Sequence, residues 1–328
     1  MKEVTPQMSV EEAREAVLRF VRVLGPVPTP ILEAAGTVLA EDIRADYDIP
    51  PLANSAMDGY AVRADDVRAA SQANPIALRV VYNLAAGYTT DVEVRPGTAV
   101  RIMTGAPLPA GADAVVPFEE TEQAGDVVRV MRSQPPAANV RMAGEDVQRG
   151  TLVLGRGAEI GPAEIGMLAA LGHGVVQTYR RPRVGILATG DEVIEIDAPL
   201  LPGKIRNANS YSNAAQVLRE GGQPVLLGIA RDNVAAIRER LRGGLAENID
   251  LLLTSGGVSV GDFDVVKEVL AAEAEMTFWQ VRMRPGKPFA FGQIGGVPLL
   301  GLPGNPVSAM VSFELFARSA LRKMLGKP

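Results

Sequence analysis

No cysteine occurs among the 328 residues, and histidine occurs once, at His173. The first absence removes disulfides, thiolate zinc sites and cysteine nucleophiles; the second leaves almost no imidazole chemistry. Any metal must therefore rest on oxygen ligands. Long apolar runs are missing too. Nothing approaches the roughly 20 residues needed to span a bilayer, and the opening MKEVTPQMSVEEAREAV lacks the apolar segment of a signal peptide, so a cytoplasmic protein with no membrane partner is expected. There is no basic excess: a net charge of −5 gives no general attraction to nucleic acid or anionic membrane. What the chain does have is 47% hydrophobic content, enough at this length for two or three domains with real cores.

Ser9 and Glu12 have capping-box spacing, and Ala13, Val17, Phe20 and Val21 follow at helical intervals, which predicts a helix ending near Gly25-Pro26. A short helical piece is expected around Ile31 to Ala35, closed by Gly36, and Pro50-Pro51 forms a rigid connector. From Leu52 to about Gly144, short β-like runs at Leu78 to Tyr82, Ala99 to Met103, Ala114 to Pro117 and Val127 to Met131 are separated by Gly, Pro and Asn. They read as a small β-rich domain. A helix from Pro162 to Leu171 follows, with proline at its start and Gly172 after its end.

Beyond Arg183 strands and helices alternate: strand Val184 to Ala188, helix Ser210 to Glu220, strand Pro224 to Ile229, helix Asn233 to Leu241, strand Ile249 to Leu253, helix Phe263 to Ala272. Such alternation predicts a doubly wound, mostly parallel sheet. The chain closes with a helix from Pro306 to about Leu325. The expected organisation is an α/β multidomain protein: 1–50 with 144–180 as an elongated mixed helical and β region, 51–143 as the β-rich domain, and 181–328 as the α/β domain.

Four loops follow strands in the last part: Thr189-Gly190-Asp191-Glu192, Arg231-Asp232, Thr254-Ser255-Gly256-Gly257 with Asp262 and Asp264, and Gly301 to Pro306. In a parallel sheet they share one edge, where such folds bind ligands. Glycine turns and a helix start suit a phosphate, and carboxylates beside them suit a divalent cation. Taken singly, each loop also reads as an ordinary βα turn, with Asp232 in the position of a helix cap. Arg284-Pro285-Gly286-Lys287 sets two cations around a restricted turn, and PPLANSAMDGYA, Thr104 and Glu119-Glu120 are the polar candidates nearer the N-terminus.

Together PPLANSAMDGYAV, RIMTGAPLP, AGEDV, ATGDEV, TSGGVSVGDFD, MRPGKPFAFG and GLPGNPVSAMVSFELF resemble the molybdopterin molybdenumtransferases, the MoeA and gephyrin E-domain family, across essentially the whole chain. The resemblance implies a dimeric, magnesium-dependent enzyme that takes adenylylated molybdopterin and molybdate, releases AMP and inserts molybdenum into the dithiolene. It implies an α/β domain similar to the molybdopterin adenylyltransferases, with such an adenylyltransferase as a further partner. An active site formed with the small β domain of the other subunit is implied as well.

Carried over by position, the catalytic set falls on Asp58, Thr104, Glu192, Asp232 and Asp264, with Asp264, Glu192 and Asp232 near the metal. Substrate binding falls on Gly256, Gly257, Ser259, Arg284, Lys287, Pro303, Asn305 and Arg141, with Asp146 a further matched acid. Arg284 stands where family members have lysine, and the small C-terminal β-barrel that usually follows is not expected within these residues. Two alternatives stay open: a molybdopterin adenylyltransferase, and a non-catalytic scaffold binding pterin or protein.

Overall fold

The computed structural model describes residues 7–256 and 275–327, apart from the side chains of 275–279. The predicted helix Phe263 to Ala272, together with Gly257, Ser259, Asp262 and Asp264, lies outside them. The chain divides into two units, Met1–Glu41 with Gly155–Pro328, and Asp42–Leu154.

The first unit is built on a seven-stranded sheet ordered Gln7–Met8, Glu275–Val281, Pro288–Ile294, Val297–Leu302, Leu251–Ser255, Arg183–Thr189, Gln223–Ala230. The last four in that order are mutually parallel, whereas Pro288–Ile294 runs antiparallel to both its neighbours. Leu251–Ser255 is buried along its whole length, which is why it reads as an unbroken apolar run rather than an alternating one. Edge strand Gln223–Ala230 is only partly buried.

Two cores flank this sheet. On one side Ile186, Leu251, Leu253 and Phe289 pack with Ala13 and Val17 of the first helix and with Phe313, Phe316 and Leu321 near the C-terminus. On the other, Leu187, Leu252 and Leu299 meet Ile237 and Leu241 of helix Val234–Ala246. Adjacent strand residues go to opposite cores because side chains alternate across a sheet.

Several local expectations change. The first helix, capped by Ser9 and Glu12 as its sequence demands, spans Val10–Phe20 and stops short of Gly25, because Val21 turns extended at φ −99°, ψ 134°. Ile31 to Ala35 forms hydrogen-bonded turns, with Glu33 and Ala34 N–H groups donating to the Pro30 carbonyl, rather than a helix. The C-terminal helix is interrupted: α-helix Pro306–Ser312, a wide π-helical turn Phe313–Ala317, then α-helix Arg318–Met324.

The second unit carries a six-stranded sheet ordered Ala114–Pro117, Gly59–Val62, Thr98–Ile102, Ile76–Leu84, Val127–Val130, Thr121–Ala124. Its pairs are antiparallel except Ile76–Leu84 with Thr98–Ile102. One face packs around Tyr60, Ala99, Val116 and Val128, the other around Ala61, Val100, Ile102 and Val115.

Phe316 is fully buried and its ring centroid lies 4.3 Å from that of Phe289, so it ties the interrupted helix to the sheet. Phe316→Ala is expected to cost about 3–5 kcal/mol of the first unit's stability, read from denaturant unfolding. A loss below about 1 kcal/mol would show that this side chain does not anchor the helix.

Candidate functional site

In the second unit, Asp58 ends the loop that enters strand Gly59–Val62, and Thr104 follows strand Thr98–Ile102. These strands pair with Gly59 opposite Ile102, so residues 46 apart in sequence meet at one end of the sheet. Asp58 Oδ1 accepts two hydrogen bonds, from the Thr104 N–H and from its hydroxyl, both 2.7 Å. The two loops are fastened to each other, since the Gly105 N–H donates to the carbonyl of buried Ser55 at 2.8 Å. Gly59 is required beside them: a Cβ there would sit 2.0 Å from the Val116 carbonyl oxygen.

The pair is exposed, yet the Thr104 amide, then the Thr104 hydroxyl, then the Arg101 charge hold the Asp58 carboxyl below the ordinary carboxylate range. A depressed pKa contributes stability above the unfolded-state value, and that contribution fades as pH falls through the folded one.

In the first unit the four parallel strands send their following loops to one edge. There a cleft with about 430 Å³ of empty space is lined by Thr189, Glu192, Asn207, Asn209, Gly256 and Gly304, among others. Gly256, at φ 92°, approaches Thr189 so closely that a Cβ would lie 2.8 Å from its hydroxyl oxygen. The Thr189 hydroxyl donates in turn to the Ser255 carbonyl at 3.1 Å, and Asn209 Nδ2 donates to the Gly304 carbonyl at 2.8 Å. Asn207 caps helix Ala208–Arg219 through its Oδ1, which accepts from the Ser210 N–H at 3.2 Å, so the positive end of a helix faces the cleft beside the Glu192 carboxylate.

Asp232 does not cap the following helix; Asn233 does, accepting from the Ala236 N–H at 2.9 Å. With Asn233 serving as the cap, the Asp232 carboxylate is left for another loop. Its Oδ2 accepts from the Asp191 N–H at 3.2 Å, while Asp191 Oδ1 accepts from the Asp232 N–H at 3.3 Å. Lys204 Nζ and an Arg231 guanidinium nitrogen donate to the Asp191 carbonyl at 2.8 and 3.0 Å, setting cations beside the two acids.

The other predicted residues fall as follows. Pro303 is buried, whereas exposed Asn305 caps helix Pro306–Ser312 by accepting from the Ser308 N–H at 3.2 Å. Arg284 and Lys287 are both exposed on the turn joining the antiparallel strands Glu275–Val281 and Pro288–Ile294. Arg141 donates to both carboxylate oxygens of Asp146 at 2.9 Å. Glu120 is held by Arg132 at 2.8 Å and by Gln134.

The chain itself matches known proteins along nearly its whole length. The family described as the MoeA N-terminal region (domain I and II) matches residues 8–172, and the one described as a probable molybdopterin binding domain matches 185–323. Molybdopterin molybdenumtransferase 2 of Mycobacterium tuberculosis is 41% identical over 329 residues, covering 98% of this chain and 80% of that protein. The chain belongs to the molybdopterin molybdenumtransferases. It is thus a transferase of molybdenum cofactor biosynthesis. The molybdopterin molybdenumtransferase of a Nostoc species is 40% identical over 98% of this chain and 76% of its own length. A crystal structure of the molybdopterin biosynthesis protein MoeA from Pyrococcus horikoshii superposes with a TM-score of 0.87 at 32% identity, covering 98% of this chain and 81% of that one.

Sequence reasoning missed Asn207 and Asn209, and it named Asp191 in a candidate loop without giving it a role. The helix expected to begin at Ser210 begins at Ala208. An asparagine three residues before Ser210 was the available capping signal.

Thr104→Val keeps the amide and deletes the hydroxyl. It is expected to raise the Asp58 pKa partway toward the ordinary carboxylate value, followed by carbon-13 NMR of the carboxyl group during titration. An unmoved value would remove the hydroxyl from the account.

Proposed function

We propose that the chain inserts molybdenum from molybdate into adenylylated molybdopterin with magnesium-dependent release of AMP, acting in the cytoplasm as a homodimer. The observation that carries this reading is the Asp58–Thr104 pair, an exposed, ionised carboxylate oriented by two hydrogen bonds on the motifs MDGY and MTG. The cleft at the parallel strand ends adds support, since it offers glycine turns and a helix start to phosphate groups.

Region 181–328 binds the pterin in this reading, 51–143 carries Asp58 and Thr104, and 1–50 with 144–180 is where two copies meet. Gly256, Gly257 and Ser259 contact the pterin phosphate. Pro303 and Asn305 shape the same loop edge, and Arg284, Lys287 and Arg141 attract anions. A molybdopterin adenylyltransferase delivers the substrate.

The exposed carboxylates Glu192 and Asp232 are hard oxygen donors of the type magnesium takes. Among the described residues no three acids group to hold a metal, and magnesium is ordinarily held by one or two carboxylates with substrate phosphates and water. The residues therefore fit an ion bound jointly with substrate, to which Asp264 contributes. What magnesium supplies when bound is neutralisation of charge developing on phosphoryl oxygens. The protein's own part is to orient the adenylate link, hold Asp58 ionised through Thr104, and keep the acids of the two strand loops in register. Among the described residues no helix is long and apolar enough to cross a membrane.

A purified assay with adenylylated molybdopterin, molybdate and magnesium is expected to show molybdate-stimulated AMP release. Asp58→Asn and Asp264→Asn should each lower turnover by about 100-fold or more with folding intact. Consumption of ATP instead of adenylylated pterin would replace this reading with the adenylyltransferase, and no AMP release from a folded dimer would leave only the scaffold.

A further inference from the structure

Arg101 lies on strand Thr98–Ile102 directly opposite Tyr60, three residues before Thr104. Its guanidinium carbon sits 4.9 Å from the centre of the Phe118 ring. Phe118 in turn meets Tyr60 at 5.4 Å with the rings 70° apart, and the Tyr60 hydroxyl donates to Gln123 Oε1 at 2.7 Å. The guanidinium therefore rests on a braced aromatic surface, near enough to Asp58 for its charge to act there.

Its hydrogen bonding is incomplete. Arg101 Nε is buried with no partner, and among the described residues no carboxylate comes within ion-pair distance of the group. In the same unit the more exposed Arg132 and Arg141 are paired, at 2.8 Å with Glu120 and 2.9 Å with Asp146. Asp58 does not fill the gap: its Oδ1 is engaged by Thr104, no hydrogen bond or ion pair joins its carboxylate to Arg101, and the Arg101 charge reaches it only from beyond contact and helps keep it ionised. Arg101 Nε is out of an anion's reach, but the outer Nη groups are not among the buried atoms left without a partner, and a half-buried cation without a paired carboxylate loses hydration that an anion arriving at those groups restores. Stacking occupies the flat face of a guanidinium and leaves its in-plane N–H edge free, and that edge matches two oxygens of a tetrahedral oxyanion.

Resting on the reading of Asp58 and Thr104 as part of the active site, we propose that Arg101 is a substrate contact for a tetrahedral oxyanion, with Phe118 the platform that orients it. The anion is either a phosphate of the adenylylated pterin or molybdate itself, which share charge and shape.

Steady-state kinetics of the full chain separate these sources, by varying molybdate at saturating adenylylated pterin and then the reverse. Arg101→Gln is expected to raise one of the two KM values by about tenfold or more, with kcat changed much less, and the KM that moves names the anion. Arg101→Lys, which keeps the charge but not the fork, should fall between parent and the Gln variant. A folded Arg101→Gln enzyme with both KM values within about twofold of the parent overturns the inference, even if its melting temperature falls. Should that variant fail to fold, Phe118→Leu, which keeps the charge and removes the ring that aims it, takes its place under the same criterion. Asp58→Asn is run in parallel. An inactive Asp58→Asn beside unmoved KM values sinks the Arg101 contact alone, whereas parental turnover in Asp58→Asn removes the site and the contact together.

Discussion

Parallel pairing is the constraint on which the candidate cleft depends. Once Val297–Leu302, Leu251–Ser255, Arg183–Thr189 and Gln223–Ala230 lie parallel, each must hand the chain to its next segment at the same edge of the sheet. Thr189, Glu192, Asp232, Gly256 and Gly304 are far apart in sequence and are brought to that edge by strand direction alone. The side chains then refine what the backbone imposes. The reciprocal bonds between Asp191 and Asp232 join two loops that the sheet has merely made neighbours, and Lys204 and Arg231 offset the repulsion of two acids held together.

The same logic was legible in the sequence to different depths. The apolar run Leu251-Leu252-Leu253, closed by a glycine turn, reads as a strand buried on both faces, and it is one. Strand Ala114–Pro117 and the start of helix Pro162–Ala170 fall where composition put them, because proline and glycine punctuate them. Strand Gln7–Met8 could not be foreseen: two residues have no periodicity, and they are extended because the sheet edge at Glu275–Val281 offers them partners. The turns at Ile31 to Ala35 belong with it, since a segment that short is decided by its surroundings rather than by its propensity.

For the candidate site, motif membership placed Asp58 and Thr104 on the same page but gave no hint that one hydroxyl and one amide would converge on a single oxygen. That follows from the pairing of Gly59 with Ile102, a long-range register that no local pattern encodes. Asp232 shows the opposite failure. Its position before a helix suggested a cap, yet Asn233 was equally placed to serve, and the carboxylate went to the neighbouring loop instead. Arg101 drew no notice because a lone arginine in a strand says nothing until Phe118 is seen beneath it.

The interrupted C-terminal helix settles a conflict between two periods. From Ser308 to Leu325 buried residues come in adjacent pairs, 308 with 309, 312 with 313, 316 with 317, 320 with 321 and 324 with 325, a repeat of four. An α-helix advances about 100° per residue, so four residues overshoot a full circle by about 40°, and an unbroken helix would wind this apolar stripe off the sheet. The wide turn at Phe313–Ala317 unwinds part of that drift. The number of residues in that turn is accordingly a phase setting: removing one would rotate Arg318 and everything after it, and charge would face the sheet where Ala320, Leu321 and Met324 now pack.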